Sequence, residues 1–466
     1  MKILVTKNGK AACIMMLIPA FVAGLALVMT GCNRDTGAIP ELNAAGNLEF
    51  DALGGRKVLT INANCDWQIT SEAGWLGFSI ESGSGNGHVI VSTREYTGME
   101  DREAKIEVRY DGGNAIVDAV QKGLDADLLN PSANANSYLV TTGAGLYAVK
   151  AAYKGTSATE KAGEWVSAEL LWQDATGLVT KVFSNPEEQL ILVNISGGAG
   201  NAVVCVKDAA GKILWSWHLW IVPGFDPSVK AFTTPETYGD GSRWTFMDRH
   251  LGATASTPGS TEAFGLLYQW GRKDPFTASA AVTEVERKIY DIDGNELAGF
   301  ESRASQSGTL ALSILNPMVF YTVTYDTRDW GDAPDDDFWG GISMKKSIYD
   351  PCPLGWKIPV SDAAGKTPYG FLTRNNTTWE NNGRLLNDTD WWLAGSGTRV
   401  NYTGGLNIDA NGAPYGGIWF GTAGTASGDP EYPELYGQYY PVMSGRIATV
   451  MKDTRAQGMA VRCVKE

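Results

Sequence analysis

The chain has 466 residues, 44% of them hydrophobic and 10% aromatic, which allows about three globular domains and excludes a disordered polypeptide. Its formal net charge of −14 argues against nucleic acid or an anionic membrane face as partner, since both demand clustered Lys and Arg. Three His leave little room for a histidine metal centre, while sixteen Trp and 55 Gly point to β-rich modules with many tight turns.

Residues 1–32 have the form of an export signal. Lys2, Lys7 and Lys10 make a basic start, and an uncharged stretch follows from Ala11 to Thr30. A stretch of that length also suits a retained membrane anchor. Met29-Thr30-Gly31-Cys32 favours processing, because it resembles a bacterial lipobox, in which small residues precede a cysteine that is acylated and becomes residue one. The resemblance implies a lipid anchor on Cys32, and several acyl chains on one residue attach a protein stably to a membrane. Loss of the three lysines moves the net charge from −14 to −17. Residues 33–46 are small and polar enough for a flexible tether. Asn33-Arg34-Asp35 holds a single acid where surface lipoproteins of Bacteroidetes-type bacteria tend to carry an acidic run. An outer-membrane lipoprotein is expected, with the face it occupies left open.

From 47 to 123, short strands alternate with turns. Lys105-Ile106-Glu107-Val108-Arg109-Tyr110 is apolar on one face and charged on the other. His88-Val89-Ile90-Val91-Ser92 and Ala115-Ile116-Val117 are further strands, with turns at Ser82 to Gly87 and Asp111 to Asn114. This spacing predicts a β-sandwich. Gly54-Gly55, Ile61, Asn62, Asn64, Trp67, Trp75-Leu76, Arg102 and Val120-Gln121-Lys122-Gly123 together resemble the BACON family, an immunoglobulin-like module of glycan-handling surface lipoproteins. The resemblance implies carbohydrate binding or a spacer role. Trp67 and Trp75 fit either an exposed sugar platform or the core, and the alternating strands beside them favour core. Cys65 is expected as a buried thiol.

A connector is expected over Asp125 to Pro131, and a second β-sandwich over 130–225. Leu190-Ile191-Leu192-Val193 and Ala202-Val203-Val204-Cys205-Val206 are apolar runs of strand length. In Ile213 to Val222, period two places Ile213, Trp215, Trp217, Leu219 and Ile221 on a core face and Ser216, His218 and Trp220 on the other. That second face suits an interdomain contact better than a ligand site, since Pro223-Gly224-Phe225 leads straight into the next region.

Residues 229–466 are rich in Gly, Trp, Tyr and Asp with irregular spacing. Phe246-Met247-Asp248-Arg249-His250-Leu251-Gly252-Ala253 comes first, then Gly265 to Phe276, then Asp350-Pro351-Cys352-Pro353-Leu354-Gly355-Trp356-Lys357-Ile358-Pro359. Trp391-Trp392-Leu393, Gly416 to Phe420 and Ala460 to Val464 complete the set. In this order they resemble the Fibrobacter-type major paralogous domain, which implies a C-type-lectin-like α+β fold. Leu393-Ala394 in place of Leu-Pro, and His250 in place of Asn, depart from the family pattern. The whole chain is therefore expected to be mainly β, with two Ig-like β-sandwiches followed by an α+β C-type-lectin-like domain.

Cys352 and Cys463 are the only cysteines of this last region, and export places them in an oxidising compartment. A disulfide between them is expected, with two free thiols as the alternative. Once paired they leave no thiol for the chemistry of formylglycine-generating enzymes, which share a lectin-like fold. The chain also lacks G-x-S-x-G, H-E-x-x-H, a P-loop and C-x-x-C. A glycosidase carboxylate pair is set by spatial separation and is not legible here. No enzyme and no cofactor is expected.

The candidate ligand-binding residues are Trp330, Asp332, Asp335, Asp337 and Trp339, in a loop where indoles can stack on pyranose faces and carboxylates can accept hydroxyl hydrogen bonds. The competing reading is a solvated acidic loop anchored to the core by its aromatics. Asp291-Ile292-Asp293-Gly294-Asn295-Glu296 and Asn407-Ile408-Asp409-Ala410-Asn411-Gly412 resemble fragments of a calcium loop without the distal Glu, and read better as hairpin turns. The leading functional expectation is non-catalytic glycan binding at the cell envelope; the alternative is an adhesin or structural lipoprotein that recognises protein, with the BACON-like module as spacer. Oligomeric state is not legible.

Overall fold

The computed structural model describes residues 38–237, 241–324, 329–331, 335–343, 345–362, 364–408, 415–424, 436–444 and 450–466. The export signal, Cys32, Asp332 and the stretch Asp409 to Gly412 lie outside them. Among the described residues the fold is mainly β, with 45% strand and 3% helix.

Two sheets enclose the first core. One runs in the order Leu48–Phe50, Gly113–Gln121, Arg102–Tyr110, Asp66–Thr70, Ser82–Ser84; the other in the order Leu42–Ala45, Gly55–Ala63, Gly87–Thr93, Leu76–Phe78. Alternation decides which residues meet between them: Leu59, Ile61, Val89 and Val91 from one sheet pack on Ile106, Val108, Val117 and Ala119 from the other. Asp111-Gly112 closes the hairpin in which Tyr110 faces Gly113. Trp67 is a core residue, 3% exposed, and its ring lies so close to Gly83 that a Cβ there would come within 2.3 Å of it. Trp75 is half-buried under the Arg102 guanidinium, 4.5 Å from its ring centre.

Two expectations need correction here. Leu42–Ala45, inside the stretch read as a flexible tether, pairs with Gly55–Ala63 as an edge strand. Small polar residues suit a tether, yet an edge strand needs only backbone partners. Cys65 is half-exposed rather than buried, because it sits in the turn before Asp66–Thr70 with its thiol towards the Glu41 carbonyl.

The middle unit is built the same way. Its sheets run Asp127–Leu128, Gly145–Lys150, Leu190–Ile195, Val179–Asn185 and Ser137–Val140, Ile213–Ile221, Gly200–Lys207, Ser167–Gln173. Tyr147, Val149, Ile191 and Val193 meet Val204, Trp215, Trp217 and Leu219 in its core. The unit begins earlier than expected, because Asp127–Leu128 in the expected connector pairs with Tyr147 and Ala148.

Ser216, His218 and Trp220, the second face of Ile213–Ile221, turn away from this core and are covered by the C-terminal region. Trp220 Nε1 donates to the Ala253 carbonyl at 3.1 Å, and Ser216 Oγ donates to Asp274 Oδ1 at 2.6 Å. Asn201 Nδ2 donates to Asp174 Oδ2 and the Gly252 carbonyl, which fixes its amide, so Asn201 Oδ1 accepts from His218 Nε2 at 2.9 Å. Burial holds the His218 imidazole neutral, down to about 3.

The C-terminal region centres on an eight-stranded sheet. Its main path is Phe276–Thr277, Leu266–Gln269, Gly458–Val461, Tyr415–Gly424, Tyr436–Met443, Met451–Thr454. One face packs Ile418, Phe420, Tyr440 and Val442 against Phe246, Tyr369 and Trp391. The helical part expected of this region comes, among the described residues, to one α-helix of seven residues, Thr309–Leu315, and two 3-10 turns.

The C-terminal end of the region is fastened twice. Val464–Lys465 pairs with Trp356–Lys357 and with Phe246, and Cys352 is bonded to Cys463, their Cα atoms 6.0 Å apart and 111 positions apart in sequence. The loop at Cys352 is held from inside. Asp350 accepts from the N–H groups of Cys352 and Ile358, and Lys346 Nζ donates to the carbonyls of Cys352, Pro353 and Trp356. It is also held from the middle unit, because Asn136 Nδ2 donates to the Ile348 and Asp350 carbonyls at 2.7 and 2.9 Å.

Candidate functional site

The two indoles singled out in the acidic loop are not available to a ligand. Trp330 and Trp339 are each 1% exposed. Trp330 Nε1 donates to the Trp270 carbonyl at 2.7 Å and its ring stacks on Phe338; Trp339 packs against Trp270 with ring centres 5.7 Å apart. This corrects the expectation that they form a sugar platform. The physical reason is burial: an indole beside acids serves equally as a platform or an anchor, and here apolar neighbours from distant strands take both rings in. Asp335 and Asp337 are exposed, and Asp335 accepts from the Asp337 N–H at 2.8 Å to make a tight turn. Asp332 lies outside the described residues.

Arg455 clamps this loop to the long sheet. Its guanidinium is fully buried, 4.3 Å from the Trp270 ring centre. It donates to the carbonyls of Tyr436 and Asp335 and to the carboxylate of Asp336, and lies 3.7 Å from Asp329 Oδ2. Burial outweighs this cation at Asp329, whose carboxyl is pushed up to about 6.

Beside the clamp, the sheet opens outward. Trp419, Gly417 and Tyr415 share one face of their strand, opposite Tyr439, Pro441 and Met443 of the next; Gly437, on that same face, lies opposite Asp453. Trp419 is buried, whereas Tyr439, Tyr415, Met451 and Asp453 are half-buried and Tyr402 is 69% exposed. A Cβ on Gly417 would lie 2.3 Å from Met459 Sδ and 2.9 Å from the Tyr439 ring, so this glycine lets both side chains pack close over the sheet. Asp453 Oδ1 accepts from the Thr454 N–H at 2.7 Å; Asn401 Nδ2 donates to Thr454 Oγ1 at 2.8 Å and the Asn401 N–H to Gln457 Oε1 at 3.0 Å. Gln457 Nε2 then donates to Thr398 Oγ1, which lies 3.2 Å from the Tyr415 hydroxyl. Burial pushes the Asp453 carboxyl up to about 6; burial, and after it the charge of Asp453, raises the phenols of Tyr415 and Tyr439.

Half-exposed phenol rings beside a carboxylate and an amide network are the chemistry of recognition of a hydroxyl-rich ligand. Sequence reading missed Tyr402, Tyr415, Tyr439 and Asp453. The one local signal was alternation in Tyr436-Gly437-Gln438-Tyr439-Tyr440, where the glycine two positions from Tyr439 gives its space to the Trp270 ring, 2.5 Å from where a Cβ would lie.

The Asp291 loop is a turn. Asp291 Oδ1 accepts from the N–H groups of Asp293 and Asn295, Oδ2 accepts from Asn295 Nδ2, and Gly294 takes the left-handed conformation at φ +82°. An open groove of about 1250 Å³ lies on the outer face of the first module, lined by Glu103, Lys105, Glu107, Arg109, Ile116 and Asp118 among others. Its charges are mixed in sign, and Arg109 pairs with Glu107 at 2.6 Å.

No family model and no curated protein matches the chain. Among solved structures, a Bacteroides ovatus GH5 xyloglucanase in complex with a XXXG heptasaccharide aligns at 26% identity with TM-score 0.18, over 21% of this chain and 22% of that one. A tandem pair of titin Ig domains aligns at 9% identity with TM-score 0.17, over 40% of this chain and 97% of that one. The neural ectodermal development factor IMP-L2 aligns at 14% identity with TM-score 0.15, over 40% and 95%. The chain thus spans 22% of the xyloglucanase, and none of these partial likenesses fixes its fold or its activity.

Proposed function

We propose that the protein is a non-catalytic carbohydrate-binding lipoprotein of the cell envelope, anchored through Cys32 and capturing glycan on the C-terminal sheet around Asp453. In this reading the first two units are Ig-like sandwiches, the first of them BACON-like, and they carry a C-type-lectin-like domain away from the membrane. The observation that supports it most directly is the grouping of Tyr402, Tyr415 and Tyr439 with Asp453 and Asn401. Aromatic faces cover the apolar side of a pyranose, and the carboxylate and amide take its hydroxyls. The alternative, an adhesin for protein, shares the anchor and the stalk but does not call for a carboxylate set among phenols.

A glycan array probed with the soluble protein and with its Tyr402→Ala and Asp453→Ala variants tests this. Binding that both substitutions reduce supports the reading; absence of array binding, together with tight binding to a purified surface protein, overturns it. Radiolabelled palmitate that still enters a Cys32→Ala variant would overturn the anchor.

A further inference from the structure

We infer that the glycan taken at the Asp453 surface carries no acidic groups and is built of neutral or amine-bearing sugars. This rests on the carbohydrate reading above and adds the charge class of the ligand to it. The argument is one of where the charges point. Asp453 stands opposite Gly437 on the sheet face that carries Tyr439 and Tyr415, and after burial its charge acts on both phenols; the carboxylate of Glu284 acts on Tyr415 as well, so negative charge reaches this surface from two separate elements.

Cations near the same sheet are already engaged or turned away. Arg455 is fully buried and occupied by Asp336, two carbonyls and the nearby Asp329. Lys452 neighbours Asp453 in an extended strand, so its side chain leaves on the opposite face. A Cβ on Gly424, which pairs with Tyr436 on that opposite face, would lie 3.1 Å from the Lys452 stem. Neither of these cations faces the phenols, and Arg399, on the same sheet, is taken by the Thr277 and Gly404 carbonyls and the carboxylate of Glu286.

A sugar hydroxyl or ammonium donates to the Asp453 carboxylate and gains a charge-assisted hydrogen bond. A uronate or sulfate brings a second negative charge into the same space. At ~5 Å, with an effective dielectric between that of a protein surface and water, this weakens binding by about tenfold or more.

The test is an array of mixed linkages holding neutral, amine-bearing and acidic glycans, probed at low salt with the full soluble chain, followed by titration of the strongest binders against their acidic counterparts. Binders confined to the neutral and amine-bearing classes, with acidic counterparts at least about tenfold weaker, are expected. Asp453→Asn, close in shape, should lower neutral binding, because the charge-assisted hydrogen bond goes with the charge, while narrowing the gap to acidic counterparts by about tenfold. Strongest binding to uronates or sulfated glycans overturns the charge inference and leaves the carbohydrate reading standing. No binding in any class overturns the carbohydrate reading and this inference with it.

Discussion

Replacing both clasp cysteines, Cys352→Ala with Cys463→Ala, tests how the C-terminal region is held together. The bond joins positions 111 apart in sequence. In the chain-entropy model, opening a loop of that length costs about 5 kcal/mol at room temperature, by restoring freedom to the unfolded chain. Both residues are fully buried within an apolar cluster that includes Trp356, Ile358 and Val461, so removing two sulfur atoms adds a packing loss of ~1 kcal/mol. Against this, the ladder between Trp356–Lys357 and Val464–Lys465 survives the substitution and keeps the native ends together. The net expectation is a loss of ~4–6 kcal/mol confined to the C-terminal region. Three packed units need not unfold in one step, so the measurement should be region-specific. Urea titration followed by hydrogen exchange on peptides of 229–466 separates that transition from those of the first two units. A C-terminal transition that moves by less than ~1 kcal/mol would refute the entropic account.

Three further outcomes follow from the same packing. Trp330→Ala and Trp339→Ala should each cost ~3–5 kcal/mol, as buried aromatic truncations do, and calorimetry should show lowered melting temperatures rather than a selective loss of ligand in a folded protein. Arg455→Leu strips the buried Asp329 of its nearest cation and should cost ~3–5 kcal/mol near pH 7. Denaturant titrations should show that loss shrinking by pH 5, where Asp329, already pushed up to about 6, takes a proton. The Asp453 carboxyl is raised from an ordinary 3.8 to about 6, so the folded chain binds this proton more tightly than the unfolded one. Stability from this group is therefore greatest below about pH 4 and is lost as pH rises through 6. Asp453→Asn should remove that slope, gaining up to ~3 kcal/mol at pH 7 and nothing below pH 4 in paired urea titrations; an unchanged slope would show that Asp453 is better solvated than its packing indicates.

Local pattern carried much of the architecture. Alternation in Arg102–Tyr110, Gly113–Gln121 and Ile213–Ile221 assigned strands and their inward faces, because side chains of a strand point to opposite sides whatever it pairs with. The same rule separated Trp215 and Trp217, which went to the middle core, from His218 and Trp220, which went to the joint with the C-terminal region. The Cys352–Cys463 bond was accessible because these are the only cysteines of their region. Edges were harder to see. Leu42–Ala45 and Asp127–Leu128 pair through their backbones, and backbone pairing leaves little mark on side-chain composition.

The proposed binding surface depended on contacts between distant parts of the chain. Trp330 and Trp339 sit among aspartates in sequence, and composition cannot tell an anchor from a platform; the carbonyl and ring of Trp270, some sixty residues upstream, decided it. Tyr402, Tyr415, Tyr439 and Asp453 lie on a loop and three strands, gathered only when Tyr415–Gly424, Tyr436–Met443 and Met451–Thr454 pair in register. The amino-acid order by itself indicated the alternating strands, their inward faces and the expected cysteine pair, since each follows from period two or from the count of one residue type. Which aromatics are buried and which carboxylate stands among half-buried phenols were decided by tertiary structure alone, because burial belongs to the neighbours a residue acquires.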